Sequence, residues 1–271
     1  MTPFLLLSHH RSGSNFLTDT LQAHPQVSVI DEPMSMHTEF FPSVDLIRWG
    51  AEDYHPARLH ASMDVAPGAR SFIQDLFDYL PAAAPGQVRG FKETMLPEKL
   101  PWLLAALPDL VVVYLVRDPR SVISSVLSRD FTKLWRYEVT IPRYRALYDD
   151  VPFPIEVGDV FERCVSSWQI RHYETMRHLP RDRSLSVRLE DSLTDPERTL
   201  TRVMAALGLA PTQRQYDFIE QSQQDSRGSA YSVFRRPADV LHGWSRNLTR
   251  RQVATIESRL SREMALHGYD R

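Results

Sequence analysis

Residues 8–18 read Ser8-His9-His10-Arg11-Ser12-Gly13-Ser14-Asn15-Phe16-Leu17-Thr18, between an apolar run over Phe4–Leu7 and an amphipathic stretch carrying Phe16, Leu17 and Leu21. The pattern predicts a strand, a tight loop and a helix. Such a turn aims backbone N–H groups and the positive end of the helix at one point, which makes an anion cradle. Gly13 lets the backbone bend sharply and approach a ligand. Arg11 brings a fixed positive charge, Ser12 and Ser14 bring hydroxyl donors and helix caps, and Asn15 belongs to the same loop. The guest that such a loop fits is a phosphate. The segment lacks the second glycine and the lysine of G-x-x-x-x-G-K-[ST], so it is not the usual nucleoside-triphosphatase loop. Short Ser/Gly turns also arise from capping alone, so the reading needs a second element.

Leu110–Asp130 supplies it. Val111-Val112-Val113-Tyr114-Leu115-Val116 is a β-branched run of the kind found in buried parallel strands. Arg117-Asp118-Pro119-Arg120 follows as a turn, with Asp118 as N-cap and Pro119 at the first helical position. Ser121, Ser125 and Arg129 recur four residues apart and share one helix face. A guanidinium at the strand end and a hydroxyl about two turns into the helix suit a phosphate monoester. The alternative for each arginine alone is a surface salt bridge.

Arg11-Ser12-Gly13-Ser14 together with Val116-Arg117-Asp118-Pro119-Arg120-(x)4-Ser125 resembles the two nucleotide-binding signatures of sulfotransferases. The resemblance implies an α/β fold, a P-loop-like three-layer sandwich with a central parallel sheet flanked by helices. It implies 3′-phosphoadenosine 5′-phosphosulfate (PAPS) as donor and no metal requirement. The first loop would hold the 5′-phosphosulfate, and Arg117, Ser125 and Arg129 the 3′-phosphate. His24–Pro33 resembles the stretch of tyrosylprotein, nodulation-factor and bacterial glycolipid sulfotransferases that carries a catalytic glutamate, which makes Glu32 the general base. Phe91-Lys92-Glu93 is similar to the segment whose lysine faces the transferring group. Val187-Arg188-Leu189-Glu190-Asp191-Ser192-Leu193 resembles V-x-Y-E-D-L, with Leu189 in place of the tyrosine. Arg235-Arg236 through Gly243-Trp244 to Thr249 resembles a basic loop that closes over the 3′-phosphate. The likeness runs from Phe4 to about Leu260 and leaves 36–86 and 131–165 unassigned.

The chemistry can be argued beside the resemblance. Moving a sulfuryl group from a phosphosulfate anhydride to an oxygen is an in-line displacement in which charge gathers on the leaving phosphate. Arg11, the loop amides and Lys92 would neutralise that charge, and a carboxylate would take the acceptor proton. Glu32 falls just past the second strand, at the carboxyl edge where open α/β sheets bind ligands. A solvated turn residue is the plainer reading of Glu32, and Glu39, Glu93 and His10 are rival bases.

Of ten histidines, His9 and His10 are adjacent, and strand alternation would point them to opposite faces, away from a shared metal. There is no H-E-x-x-H, and the single Cys164, among Phe161, Val165 and Trp168 at helical spacing, reads as a small buried apolar residue. A composition 42% apolar and 24% charged, with a formal charge of −2, describes an ordinary globular enzyme and favours neither nucleic acid nor an anionic membrane. No run approaches a membrane span or a signal peptide, so a cytoplasmic location is expected. Helix and strand alternate without a long linker, which predicts one domain over 1–271. The expected elements are strands 3–8, 27–31, 88–92, 110–116 and 184–189, with helices 14–23, about 70–80, 97–106, 119–130, about 158–178, 194–207 and 249–267. The aromatic stretch Phe131–Pro154 reads either as an acceptor lid or as a satellite core. The acceptor is a sulfate-accepting hydroxyl of open class, and the oligomeric state, homodimer included, is open. A kinase-like enzyme and an inactive nucleotide-binding module are the alternatives.

Overall fold

Five parallel strands form one sheet in the computed structural model, which describes residues 3–32, 87–94, 100–128, 151–156, 158–224, 233–234 and 236–269. They are β1 (Phe4–Ser8), β2 (Val27–Asp31), β3 (Val88–Glu93), β4 (Val111–Val116) and β5 (Ser184–Arg188), in the order β2-β3-β1-β4-β5. The chain thus passes from β1 outward to β2, returns to β3, and crosses β1 to reach β4. Ser8 pairs with Leu115, Leu7 with Glu93, Asp31 with Lys92 and Val116 with Arg188. This register brings the carboxyl ends of all five strands to one edge, where open parallel sheets place their ligands.

Alternation along the strands builds two separate cores. Leu5, Leu7, Val112, Tyr114 and Val116 face one way, and Phe4, Leu6, Val113 and Leu115 the other. On the first face pack α2 (Leu100–Ala106), α3 (Pro119–Leu127), α4 (Val160–His178) and residues of the C-terminal helices. On the second pack α1 (Ser14–Gln22), α5 (Leu189–Thr194), α6 (Pro196–Ala206) and α7 (Gln213–Gln224). The result is a three-layer α/β/α sandwich, as the resemblance implied. Both faces of the central strands β1 and β4 are covered, which is why their sequences are continuous apolar runs. Gly90 is required by a close approach, because a Cβ there would lie 2.4 Å from the Phe4 ring.

Several helix ends carry their expected signals. Asp118 accepts from the Arg120 N–H ahead of α3, Asp159 from Glu162 N–H ahead of α4, and Asp195 from Arg198 N–H ahead of α6. Cys164 is buried among the first core's residues, as its spacing implied.

The structure departs from expectation in four places. The strand expected to reach 189 ends at Arg188, and the turn expected after it is the helix α5 (Leu189–Thr194). The helix expected over 249–267 is two, α10 (Arg250–Arg259) and α11 (Ser261–Leu266), separated at the fully buried Leu260. α7 was not foreseen: two of its three buried residues, Gln215 and Ser222, are polar, with Ile219 buried and Tyr216 and Phe218 packed partly buried against the second core. Two short helices, α8 (Pro237–His242) and α9 (Trp244–Asn247), stand where a basic loop was expected. The helix expected over 70–80, Glu39, and most of Phe131–Pro154 lie outside the described residues. Phe153 is described, and its ring packs edge-on against Tyr173 at 5.6 Å.

Candidate active site

Past Ser8 the chain leaves the sheet in a tight turn, in which Ser12 N–H donates to His9 O at 3.2 Å. Arg11 and Gly13 both adopt left-handed backbone, at φ 66 and φ 83. Gly13 is itself the N-cap of α1, and no side chain caps that helix. The expectation that Ser12 and Ser14 cap it is therefore corrected: Ser14 is already the first helical residue, and no side-chain acceptor for the first-turn amides is recorded among the described residues. The Ser12 hydroxyl is buried and has no hydrogen-bond partner among the described residues. A hydroxyl and a helix start left without acceptors, beside Arg11, fit an anion. Leu189, at the position of the expected tyrosine, packs directly under the turn: a Cβ on Gly13 would lie 2.7 Å from Leu189 Cδ1. Its contact is with the loop itself.

The turn after β4 reaches the same loop. Arg117 Nη1 donates to Arg11 O at 2.8 Å, Arg117 Nη2 donates to Val240 O at 2.9 Å, and Arg11 Nε donates to Ser125 Oγ at 3.2 Å. Arg11, Arg117 and Ser125 are thus brought together, and Arg117 ties the first loop to α8. Behind this turn lies a buried network that the sequence did not announce. Glu190 accepts from Asp118 N–H at 3.1 Å and from the Tyr269 hydroxyl at 2.7 Å. Burial raises the Glu190 carboxyl, while its two donors act against that rise. Arg120 bridges Asp118 and Glu257, each at 2.8 Å, and lies over the Trp244 ring at 4.6 Å. Arg188 sits 4.6 Å over the Tyr269 ring.

Across β1, the β2–β3 register sets Lys92 beside Asp31. Its ammonium pairs with Asp31, with Glu32 Oε1 at 3.0 Å and with Asn15 Oδ1 at 3.0 Å. Burial alone would depress this ammonium, but Glu32 and Asp31 outweigh it and hold its pKa above the ordinary value. Glu32 sits at the end of β2 in left-handed backbone, φ 43, with its N–H donating to Lys92 O at 2.8 Å. Thr94 Oγ1 donates to Glu32 Oε1 at 2.9 Å. Asn15, Glu32 and Lys92 therefore meet, as a site built from these residues requires, and Asp31 and Thr94 join them unforeseen.

The rival bases fare differently. Glu93 is fully buried and Glu39 is not described. Burial, reinforced by nearby charge, drives His10 well below the ordinary histidine range, and burial with Arg171 takes His9 to about 3. The two rings do not point to opposite faces: their centroids are 4.1 Å apart, because β1 ends at Ser8 and strand alternation no longer applies. Among the described residues, no group of three or more His, Cys, Asp or Glu could hold a metal ion, and no helix is long and apolar enough to cross a membrane.

The C-terminal residues assigned to the nucleotide are partly placed. Arg236 N-caps α8 through its backbone, and its carbonyl accepts from Asp239 N–H at 3.0 Å. Gly243 joins α8 to α9 where a Cβ would lie 2.5 Å from Asp239 O, so glycine is needed for packing. Trp244 is taken up by Arg120, and Asn247 Nδ2 donates to Ser124 Oγ at 3.2 Å. Arg129 and Arg235 lie outside the described residues.

Comparison with known proteins places this geometry. Residues 3–213 match a family model described as "Sulfotransferase family". The sulfotransferase domain of the curacin biosynthetic pathway is similar in structure, with a TM-score of 0.56 and 18% identity, over 96% of this chain and 97% of that one. So is the sulfotransferase domain of the Synechococcus PCC 7002 olefin synthase, with a TM-score of 0.53 and 19% identity, over 96% and 94%. A sulfotransferase of Mycobacterium avium gives a TM-score of 0.56 at 14% identity, over 98% of this chain and 76% of that one. At such identities the likeness is one of fold. A comparison with curated proteins gave no match.

Proposed function

The chain belongs to the sulfotransferase family, and on that footing we propose that it moves a sulfuryl group from PAPS to an acceptor hydroxyl, with Glu32 as general base. The observation that carries the reading is the convergence, at one sheet edge, of an anion loop, a lysine–carboxylate pair and an arginine–serine pair. The residues fit such a donor. The orphaned Ser12 hydroxyl and the uncapped start of α1 suit the 5′ anion, and the bonds that Arg117 and Ser125 each make to Arg11 support their assignment to a second phosphate beside it.

When bound, the donor supplies an activated sulfuryl group. Arg11, Ser12 and the amides after Gly13 hold and neutralise the leaving side, so that charge gathering there is met by groups already in place. Lys92 gives an ammonium that can exchange a carboxylate partner for an equatorial oxygen. Glu32 takes the acceptor proton as the new bond forms. The acceptor hydroxyl is that of a phenol, an aliphatic alcohol, a sugar or a peptide tyrosine.

Glu32→Gln tests the base assignment. Donor turnover should be abolished while affinity for 3′,5′-adenosine bisphosphate stays nearly intact; turnover within tenfold of wild type would show that Glu32 is not the base.

A further inference from the structure

Glu32 receives two donors, and both reach the same oxygen. Lys92 Nζ lies 3.0 Å from Oε1, and Thr94 Oγ1 donates to Oε1 at 2.9 Å. Among the described residues no donor is recorded at Oε2. The terminal torsion of a carboxylate is broad and roughly two-fold, so whatever anchors one oxygen decides where the other faces. Lys92 is a poor anchor for that purpose. Its ammonium is a point charge on a flexible stem and is shared among Asp31, Glu32 and Asn15.

Thr94 has the opposite character. Its side chain is β-branched and stiff at χ1, and it is buried immediately after β3. Its carbonyl accepts from Arg171 Nη1 at 3.3 Å, and Arg171 is itself buried on the long helix α4. The hydroxyl is thus held from behind by an element of the first core. No feature of the sequence marks Thr94, because its contact with Glu32 joins residues 62 apart.

We infer that Thr94 is a positioning residue for the reaction: by fixing Glu32 Oε1 it turns Oε2 toward the acceptor hydroxyl, and Arg171 holds Thr94 in register through the Thr94 carbonyl. As the acceptor oxygen bonds to sulfur and the bond from sulfur to the leaving phosphate breaks, the hydroxyl proton passes to Oε2. The inference rests on the reading of Glu32 as base.

Crystal structures of wild type, Thr94→Val and Thr94→Ser test it, together with kcat and KM for each on the acceptor returned by a panel of phenols, alcohols and sugars. The expected result for Thr94→Val is a Glu32 carboxylate that has lost its single orientation. Its kcat should fall on the order of ten- to hundredfold, with KM and bisphosphate affinity within about twofold, because displacement of a catalytic group acts on the chemical step. Thr94→Ser, which keeps the hydroxyl, should restore both the orientation and most of kcat. An unchanged Glu32 orientation in Thr94→Val, or a wild-type kcat, overturns the inference. Glu32→Gln in the same assay separates the two failures. If it turns over within tenfold of wild type, the base assignment falls; if it is inactive while Thr94→Val runs normally, only the positioning role falls.

Discussion

Replacing Gly13 with alanine should destabilise the protein by about 3 kcal/mol, and the structure says where that arises. The residue sits at φ 83, where an L side chain is strained by roughly 1–2 kcal/mol. The new methyl would lie 2.7 and 2.8 Å from the two Leu189 methyls, well inside an ordinary carbon–carbon contact of about 3.5–4.0 Å. Leu189 cannot retreat, because it is buried in the second core with Val187, Leu193 and Leu200. Overpacking of that kind adds about 1–3 kcal/mol. Urea unfolding followed by circular dichroism measures the sum, and a cycle with Leu189→Ala divides it. In the Leu189→Ala background the methyl has room, so Gly13→Ala should lose only its backbone part, about 1 kcal/mol. The coupling between the two sites should then be about 2 kcal/mol. If Gly13→Ala lies within about 0.5 kcal/mol of wild type, or if its effect is the same in both backgrounds, the account of the loop as pressed onto Leu189 is wrong.

Two further outcomes are expected. Arg117→Ala removes the guanidinium assigned to the 3′-phosphate, so it should weaken 3′,5′-adenosine bisphosphate by about tenfold or more and AMP much less, by calorimetric titration; equal losses for both nucleotides would mean that Arg117 only holds the first loop through Arg11 O, and would sink the 3′-phosphate assignment. Acid should destabilise the fold through His172, whose pKa is lowered to about 3 by burial and then by His267, itself lowered to about 4. The unfolded chain binds a proton near pH 6.5 that the folded chain refuses, so stability is lost as pH falls below 6.5, by about 2 kcal/mol for this residue at pH 5. In His172→Phe the stability curve between pH 6.5 and 5 should be flatter by that amount, and a curve parallel to wild type would refute the assignment.

What the sequence revealed and what it concealed divide along physical lines. The strand–loop–helix at residues 4–22 and the β4 turn were legible because a β-branched run, a glycine and an Asp-Pro cap are local signals. α7 was hidden because two of its three buried residues are polar. Gln215 is fully buried yet satisfied, its amide donating to Thr20 O at 3.1 Å and its carbonyl accepting from Thr212 N–H at 3.0 Å. The break at Leu260 carries no glycine or proline, and the apolar pattern continues through it.

The site divides the same way. Arg11 and Arg117 could be named from their residue types and flanking strands, and Lys92 from the family resemblance, but their partners could not. Arg117 reaches carbonyls 106 and 123 residues away, and Lys92 meets Asn15 at a separation of 77. Asp31 joins Lys92 only through the β2–β3 register, and Tyr269 reaches Glu190 only because the C-terminal helices fold back over the first face of the sheet. Contacts fixed by register and by chain return leave no local mark.

The proposed donor site holds two phosphates, and calorimetric titration of the wild-type protein with 3′,5′-adenosine bisphosphate, beside AMP and ATP and without magnesium, is its test. The expected result is a strong preference for the bisphosphate, by at least about tenfold over either competitor. Preference for ATP, or no binding of the bisphosphate, would contradict the assignment of both anion-binding turns.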